Sequence, residues 1–127
     1  MPAVGMNHFT VLSDDLERSR DFYMTVLGLQ EGHRPPLGFP GAWLYCDGQA
    51  VLHIIAGRKL PEPRAGVLDH MAFSAKDLKG TVEKLRSRGV PYELRRQDES
   101  GTWQLFCFDP SGAKVELDFP PSEPAPD

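Results

Sequence analysis

Three histidines and one glutamate carry the chemistry that can be read from this chain. His8-Phe9-Thr10-Val11-Leu12 and His70-Met71-Ala72-Phe73-Ser74 each place a histidine at the head of a short apolar run. Each run is followed by an Asp-Leu pair, Asp15-Leu16 and Asp77-Leu78, and histidines and aspartates alike recur at an offset of 62 residues. Gly41-Ala42-Trp43 is matched by Gly101-Thr102-Trp103 at an offset of 60, and Leu52-His53-Ile54 by Val115-Glu116-Leu117 at 63. A duplicated module that returns metal-capable side chains at equivalent places nominates His8, His53, His70 and Glu116 as one constellation. Imidazole and carboxylate together suit Zn, Fe(II), Ni or Mn, and no thiolate is present in the set to narrow the choice. Alone, a strand histidine is more often a packed or hydrogen-bonded residue than a ligand. The recurrence is what lifts these above that reading, His53 least of all.

The elements that must position them follow from periodicity. Asn7 to Leu12 alternates as a strand, and Ser13-Asp14-Asp15 offers helix caps, with Glu17 as a capping-box partner for Asp14. Leu16, Ser19, Tyr23, Val26 and Leu27 form a helical stripe that Gly28 can end. Residues 29–34, 42–46 and 50–55 read as strands, the last two joined by a tight turn at Asp47-Gly48. After a linker from Gly57 to Val67 the plan restarts. His70 to Ser74 is a strand, Asp77 to Arg88 a helix closed by Gly89, and 91–95, 103–108 and 114–119 are strands. The expected architecture is α+β, strand–helix–three strands given twice, in one domain over 1–119. Module one spans about 5–56 and module two about 67–119. The proline-rich stretch 120–127 is expected to be a disordered tail with too few anchors to join the core.

Strand parity then decides which way the chemistry faces. Phe9 and Val11, like Met71 and Phe73, form the greasier face that must bury the helix stripes. His8 and His70 look the other way. By the same rule Leu52 and Ile54, and Val115 and Leu117, pack under the helices, leaving His53 and Glu116 on the open face with Asp118 beside the latter. His33 has no counterpart and reads as a surface residue. Trp43, Tyr45 and Trp103 are cavity-lining or sheet-packing aromatics.

Composition excludes several classes. Fourteen basic against eighteen acidic residues give a formal charge of −4, which argues against a phosphate-binding surface for nucleic acid. Arg58-Lys59 and Arg95-Arg96 read as solvated loop or edge-strand charges. No apolar run reaches the roughly 20 residues needed to cross a bilayer, and no secretory signal is visible at the N-terminus. Cys46 and Cys107 lack metal or redox spacing and read as buried thiols in a cytoplasmic protein.

The doubled module resembles the vicinal oxygen chelate superfamily, which includes glyoxalase I, extradiol dioxygenases, fosfomycin-resistance proteins, methylmalonyl-CoA epimerase and bleomycin-binding proteins. The resemblance covers about residues 5–119. It rests on Asn7-His8-Phe9, the Phe22-Tyr23 to Leu27-Gly28-Leu29 helix end, Asp69-His70-Met71-Ala72-Phe73, Phe108-Asp109-Pro110-Ser111-Gly112 and Val115-Glu116-Leu117. It implies two βαβββ modules forming a half-open barrel-like mixed sheet with helices outside, around a divalent metal held by His8, His53, His70 and Glu116. It also implies a small-molecule substrate and a homodimer, with His53 and Glu116 carrying the catalysis. The shared chemistry is chelation of adjacent substrate oxygens and stabilisation of an enolate or enediolate. Glyoxalase I usually has a glutamate where this chain has His53, so His53 must serve as fourth ligand or general base. The expected function is a glyoxalase-like lyase or isomerase. The alternatives are an Fe(II) extradiol-type dioxygenase and a non-catalytic small-molecule (drug) binding protein of the same fold.

Overall fold

Residues 2–127 are described by a computed structural model. The chain order is β1 (Phe9–Ser13), α1 (Leu16–Thr25), β2 (Gln30–Glu31), β3 (Gly41–Cys46), β4 (Gln49–Ala56), then β5 (Met71–Ser74), α2 (Leu78–Ser87), β6 (Tyr92–Arg96), β7 (Trp103–Phe108) and β8 (Lys114–Phe119). This is the strand–helix–three strands plan given twice, an α+β architecture. The chain separates into two units, Met1–Pro61 and Glu62–Asp127, and the boundary falls inside the stretch that composition marks as linker.

Each unit holds one four-stranded mixed sheet. The first has the order β1-β4-β3-β2 and the second β5-β8-β7-β6. In both, the first strand runs parallel to the last and the remaining pairs are antiparallel. In the first unit Val11, Leu44, Leu52 and Ile54 are buried together with Phe22 and Tyr23 of α1, which packs on β3 and β4. In the second, Leu105, Val115, Leu117 and Phe119 are buried, as are Leu78, Val82 and Leu85 on the apolar stripe of α2. The parity reading holds: Thr10, Ala72 and Ser74 stay exposed while Val11 and Met71 are buried.

Caps and turns explain the boundaries. Asp15, not Asp14, caps α1 by accepting from the Arg18 backbone N–H at 3.1 Å, so Glu17 sits in the first turn without a capping-box role. Gly28 takes a φ of 75°, and the Leu29 N–H returns to the Tyr23 carbonyl, which closes the helix end. Asp47 and Gly48 both have positive φ, as a two-residue hairpin of the primed type requires. The expected strand over 29–34 shrinks to Gln30–Glu31; Gly32 makes one last bond at the sheet edge, its N–H donating to the Trp43 carbonyl at 3.2 Å, and the chain then turns away. There the Tyr45 hydroxyl donates to the His33 carbonyl at 2.6 Å, and the Tyr45 ring lies so close to Gly32 that a Cβ would stand 2.7 Å from it.

Three other expectations change. Trp43 pairs in register with His53, and Phe106 with Glu116, so Phe106 rather than Trp103 is the structural counterpart of Trp43. The 60-residue offset misleads because the hairpins differ in length, two residues between β3 and β4 but five between β7 and β8. Cys46, at the end of β3, is exposed; only Cys107 is buried. Residues 120–127 form no helix or strand, yet they carry anchors that their composition did not suggest. The Glu123 carboxylate accepts from the Asp77 and Leu78 backbone N–H groups at 2.9 and 2.6 Å, and its carbonyl accepts from the Trp103 indole at 2.9 Å. Arg96 stacks on the Trp103 ring and donates to the Pro121 carbonyl.

Candidate functional site

The four nominated residues fall into two pairs, one in each unit. His8 and His70 stand immediately before β1 and β5, where the chain enters the sheet. His53 and Glu116 occupy matching places on β4 and β8, opposite Thr10 and Ala72. Among the described residues no group of three or more His, Cys, Asp or Glu side chains is gathered as a metal cage.

In the second unit His70 lies between two carboxylates. Its Nδ1 is 2.7 Å from Asp69 Oδ2 and its Nε2 is 2.9 Å from Glu116 Oε1. The hydrogen bond to His70 is the main cause that holds the Asp69 carboxyl below its ordinary pKa, with Lys114 adding to it. If the Nδ1 proton is given to Asp69, the Nε2 lone pair faces a carboxylate oxygen at contact distance. Such a contact needs a cation in it: a second proton on the ring, or a metal ion. Glu116 is only 7% exposed. Gln104 donates to its Oε2 at 3.3 Å, and Phe106 meets the His70 ring edge-on.

Asp118, two residues on, shares the open face with Glu116. Burial first, and then hydrogen bonding and repulsion with Glu116, raise its carboxyl to about 6. The same hydrogen bonding lowers Glu116. As the pH falls the shared proton therefore goes to Asp118 first, and Glu116 keeps its charge. Asp118 Oδ1 is buried without a hydrogen-bond partner among the described residues.

In the first unit His8 Nδ1 is 2.7 Å from Asn7 Oδ1. Since an amide oxygen only accepts, Nδ1 is the donor in this bond. The preceding residue thus does for His8 what Asp69 does for His70, an orienting bond of the kind that metal-ligating histidines make. His53 is held differently. Its ring is sandwiched between His8, at 3.7 Å and 14°, and Trp43, at 4.0 Å and 10°. Burial, then the neighbouring His8, depress its pKa; a hydrogen bond to the Ala50 backbone opposes them, and Arg34 adds a smaller push downward. Near-parallel rings direct their in-plane lone pairs side by side rather than at one point, so His8 and His53 as stacked do not converge on a common atom.

Three contributors escaped the sequence reading as site residues. Gln104 and Asp118 announce themselves only through parity with Glu116. Arg34 stands in a proline-rich loop and carries no sequence signal at all.

The family model of the Glyoxalase/Bleomycin resistance protein/Dioxygenase superfamily matches residues 5–117. The chain belongs to that superfamily. Glyoxylase I 4 of Arabidopsis thaliana is 32% identical over 121 residues, covering 89% of this chain and 69% of that protein. The uncharacterized protein YwkD of Bacillus subtilis is 31% identical, covering 89% of this chain and 94% of its own length. Among solved structures, a FosX mutant from Listeria monocytogenes, complexed with Mn(II) and 1S,2S-dihydroxypropylphosphonic acid, shares the fold. Its TM-score is 0.76, with 18% identity and 93% coverage of each chain.

Proposed function

We propose that this member of the glyoxalase superfamily is a divalent-metal-dependent enzyme, a lyase or isomerase acting on a small substrate with adjacent oxygens. One observation carries the reading: the approach of His70 Nε2 to Glu116 Oε1, 2.9 Å apart, which a cation must bridge. Two ligands each about 2.1 Å from a tetrahedral ion stand about 3.4 Å apart, so the pair has only to part by about half an ångström to admit one. Asn7 and Asp69 each hold the Nδ1 of the histidine that follows, and His8, His70 and Glu116 are the ligands in this reading. An ion bound there supplies Lewis-acid charge to a substrate oxygen and favours loss of the proton on the adjoining carbon.

The residues of the chain do the rest. Stacking between His8 and Trp43 fixes the ring plane of His53. A stacked imidazole whose pKa is lowered by burial takes up a proton in the reaction, so His53 is the general base in this reading rather than a fourth ligand. Gln104 and Asp118 hold Glu116 as an ionised carboxylate.

Metal analysis of protein purified without chelators tests the proposal. Stoichiometric retention of a divalent ion by the native chain, lost in His70→Ala and Glu116→Gln, supports it; a native chain that retains none overturns it. Oxygen uptake by the Fe(II) form with a catechol would replace the lyase reading with a dioxygenase.

A further inference from the structure

The loop that leaves β2 carries a cation which the fold does not neutralise. Gly32 still holds the sheet edge, its N–H donating to the Trp43 carbonyl; beyond it Tyr45 takes the His33 carbonyl, and Arg34 comes close enough to His53 to depress its pKa. Gly41 and Trp43 are alternate residues of β3, so they share one face, and Arg34 lies over Gly41. A Cβ on Gly41 would stand 2.9 Å from Arg34 Nη2 and would also strike the Ile54 carbonyl. The missing side chain is what admits the guanidinium to the sheet.

Arg34 makes two structural contacts. Its Nη2 donates to the Phe39 carbonyl at 2.9 Å, and its guanidinium lies 5.1 Å from the Phe39 ring centre. Arg58 approaches the same ring at 5.9 Å. Two cations therefore share one aromatic ring, and neither forms an ion pair among the described residues. Arg34 Nε is buried and has no hydrogen-bond partner. Holding the Phe39 carbonyl needs one N–H and no net charge. A half-buried guanidinium with an orphaned donor and no carboxylate is costly unless an anion completes it.

We infer that Arg34, supported by Arg58, is the anchor for an anionic group of the substrate, a carboxylate or a phosphonate, bound on the open face beside Trp43 and His53. This rests on the proposal that the face of His53 is where substrate reacts, and it narrows the substrate class to small oxyanions. Arg34 is suited to the task because its planar fork meets two oxygens of one group at once. Arg58, farther from the ring, contributes charge.

The test is a titration of the full-length, chelator-treated protein with methylphosphonate and, separately, with acetate, following the Arg Nε–H signals by NMR. Saturable movement of the Arg34 Nε–H signal is expected. Affinity should fall about tenfold in Arg34→Gln, less in Arg34→Lys, which keeps the charge but loses the fork, and modestly in Arg58→Gln. Whichever of the two anions binds more tightly identifies the group. An unmoved Arg34 signal with both probes, or an Arg34→Gln protein that binds as the native one does, overturns the inference. The native titration decides the matter even if Arg34→Gln fails to fold. Because no metal is present, anion binding in a protein that never retains a divalent ion would overturn the metal-enzyme reading and leave this one standing. Metal retention without anion binding would do the reverse.

Discussion

His8 and His70 differ in their orienting partner, and that difference is measurable. Asn7 offers a neutral amide oxygen and Asp69 a carboxylate, each 2.7 Å from Nδ1. A carboxylate raises the donor strength of the opposite nitrogen more than an amide does, and loss of such partners typically weakens metal affinity about 10–100-fold. Asp69→Asn should therefore weaken binding of the ion in a competition titration, while Asn7→Asp should strengthen it; equal affinities would mean that Nδ1 does not tune the site. His53 provides a second residue-scale prediction. As a stacked base and not a ligand, it can be replaced by Phe with retention of stoichiometric metal. If His53→Phe loses the ion as His70→Ala does, His53 is a ligand and the lone pairs of the stack must be able to turn toward it.

At the scale of elements, α2 depends on a residue far along the chain. Its first turn leaves backbone N–H groups without partners in the helix. Asp77 serves Gly80 N–H from a left-handed conformation, φ 70°, while Glu123 takes the N–H groups of Asp77 and Leu78 together. A carboxylate at that end also meets the positive pole of the helix. Glu123→Ala should cost about 1–2 kcal/mol, as loss of a strong N-cap does, read as a lower urea midpoint; an unchanged midpoint would make the contact incidental. The strands of the second module, 103–108 and 114–119, were legible to the residue because alternation and turn residues agree there. The role of Glu123 was not, since a proline-rich tail carries no periodicity and the N–H groups it caps lie more than forty positions away. The site divided along the same line. Glu116 and His53 follow from parity and repetition, which are local. Arg34 depends on where a loop lies and on the missing side chain of Gly41, neither of which leaves a pattern in composition or spacing.

For the whole molecule, stability at alkaline pH should be set in part by one thiol. Cys107 lies on β7 opposite Val115, 1% exposed, and burial first, then the nearby Asp109, raise its pKa from 9.0 to about 11. The folded chain holds this proton more tightly than the unfolded one, so its contribution is fully present below pH 9. As the pH rises the unfolded thiol ionises first, and stability falls until the folded thiol also titrates near 11. A shift of two pKa units corresponds to something on the order of 2–3 kcal/mol, a large share of the 5–15 kcal/mol typical of a domain. Urea unfolding of the native chain between pH 8 and 11, beside Cys107→Ala, isolates the effect. The variant is less stable at pH 8, because it leaves a small void in the second core. Its stability should nevertheless decline less steeply with pH, so that the two curves converge toward pH 11. Parallel curves would show that the thiol titrates alike in both states. Cys46, exposed at the end of β3, provides the internal control, since it alone should react with iodoacetamide in the folded protein at pH 8.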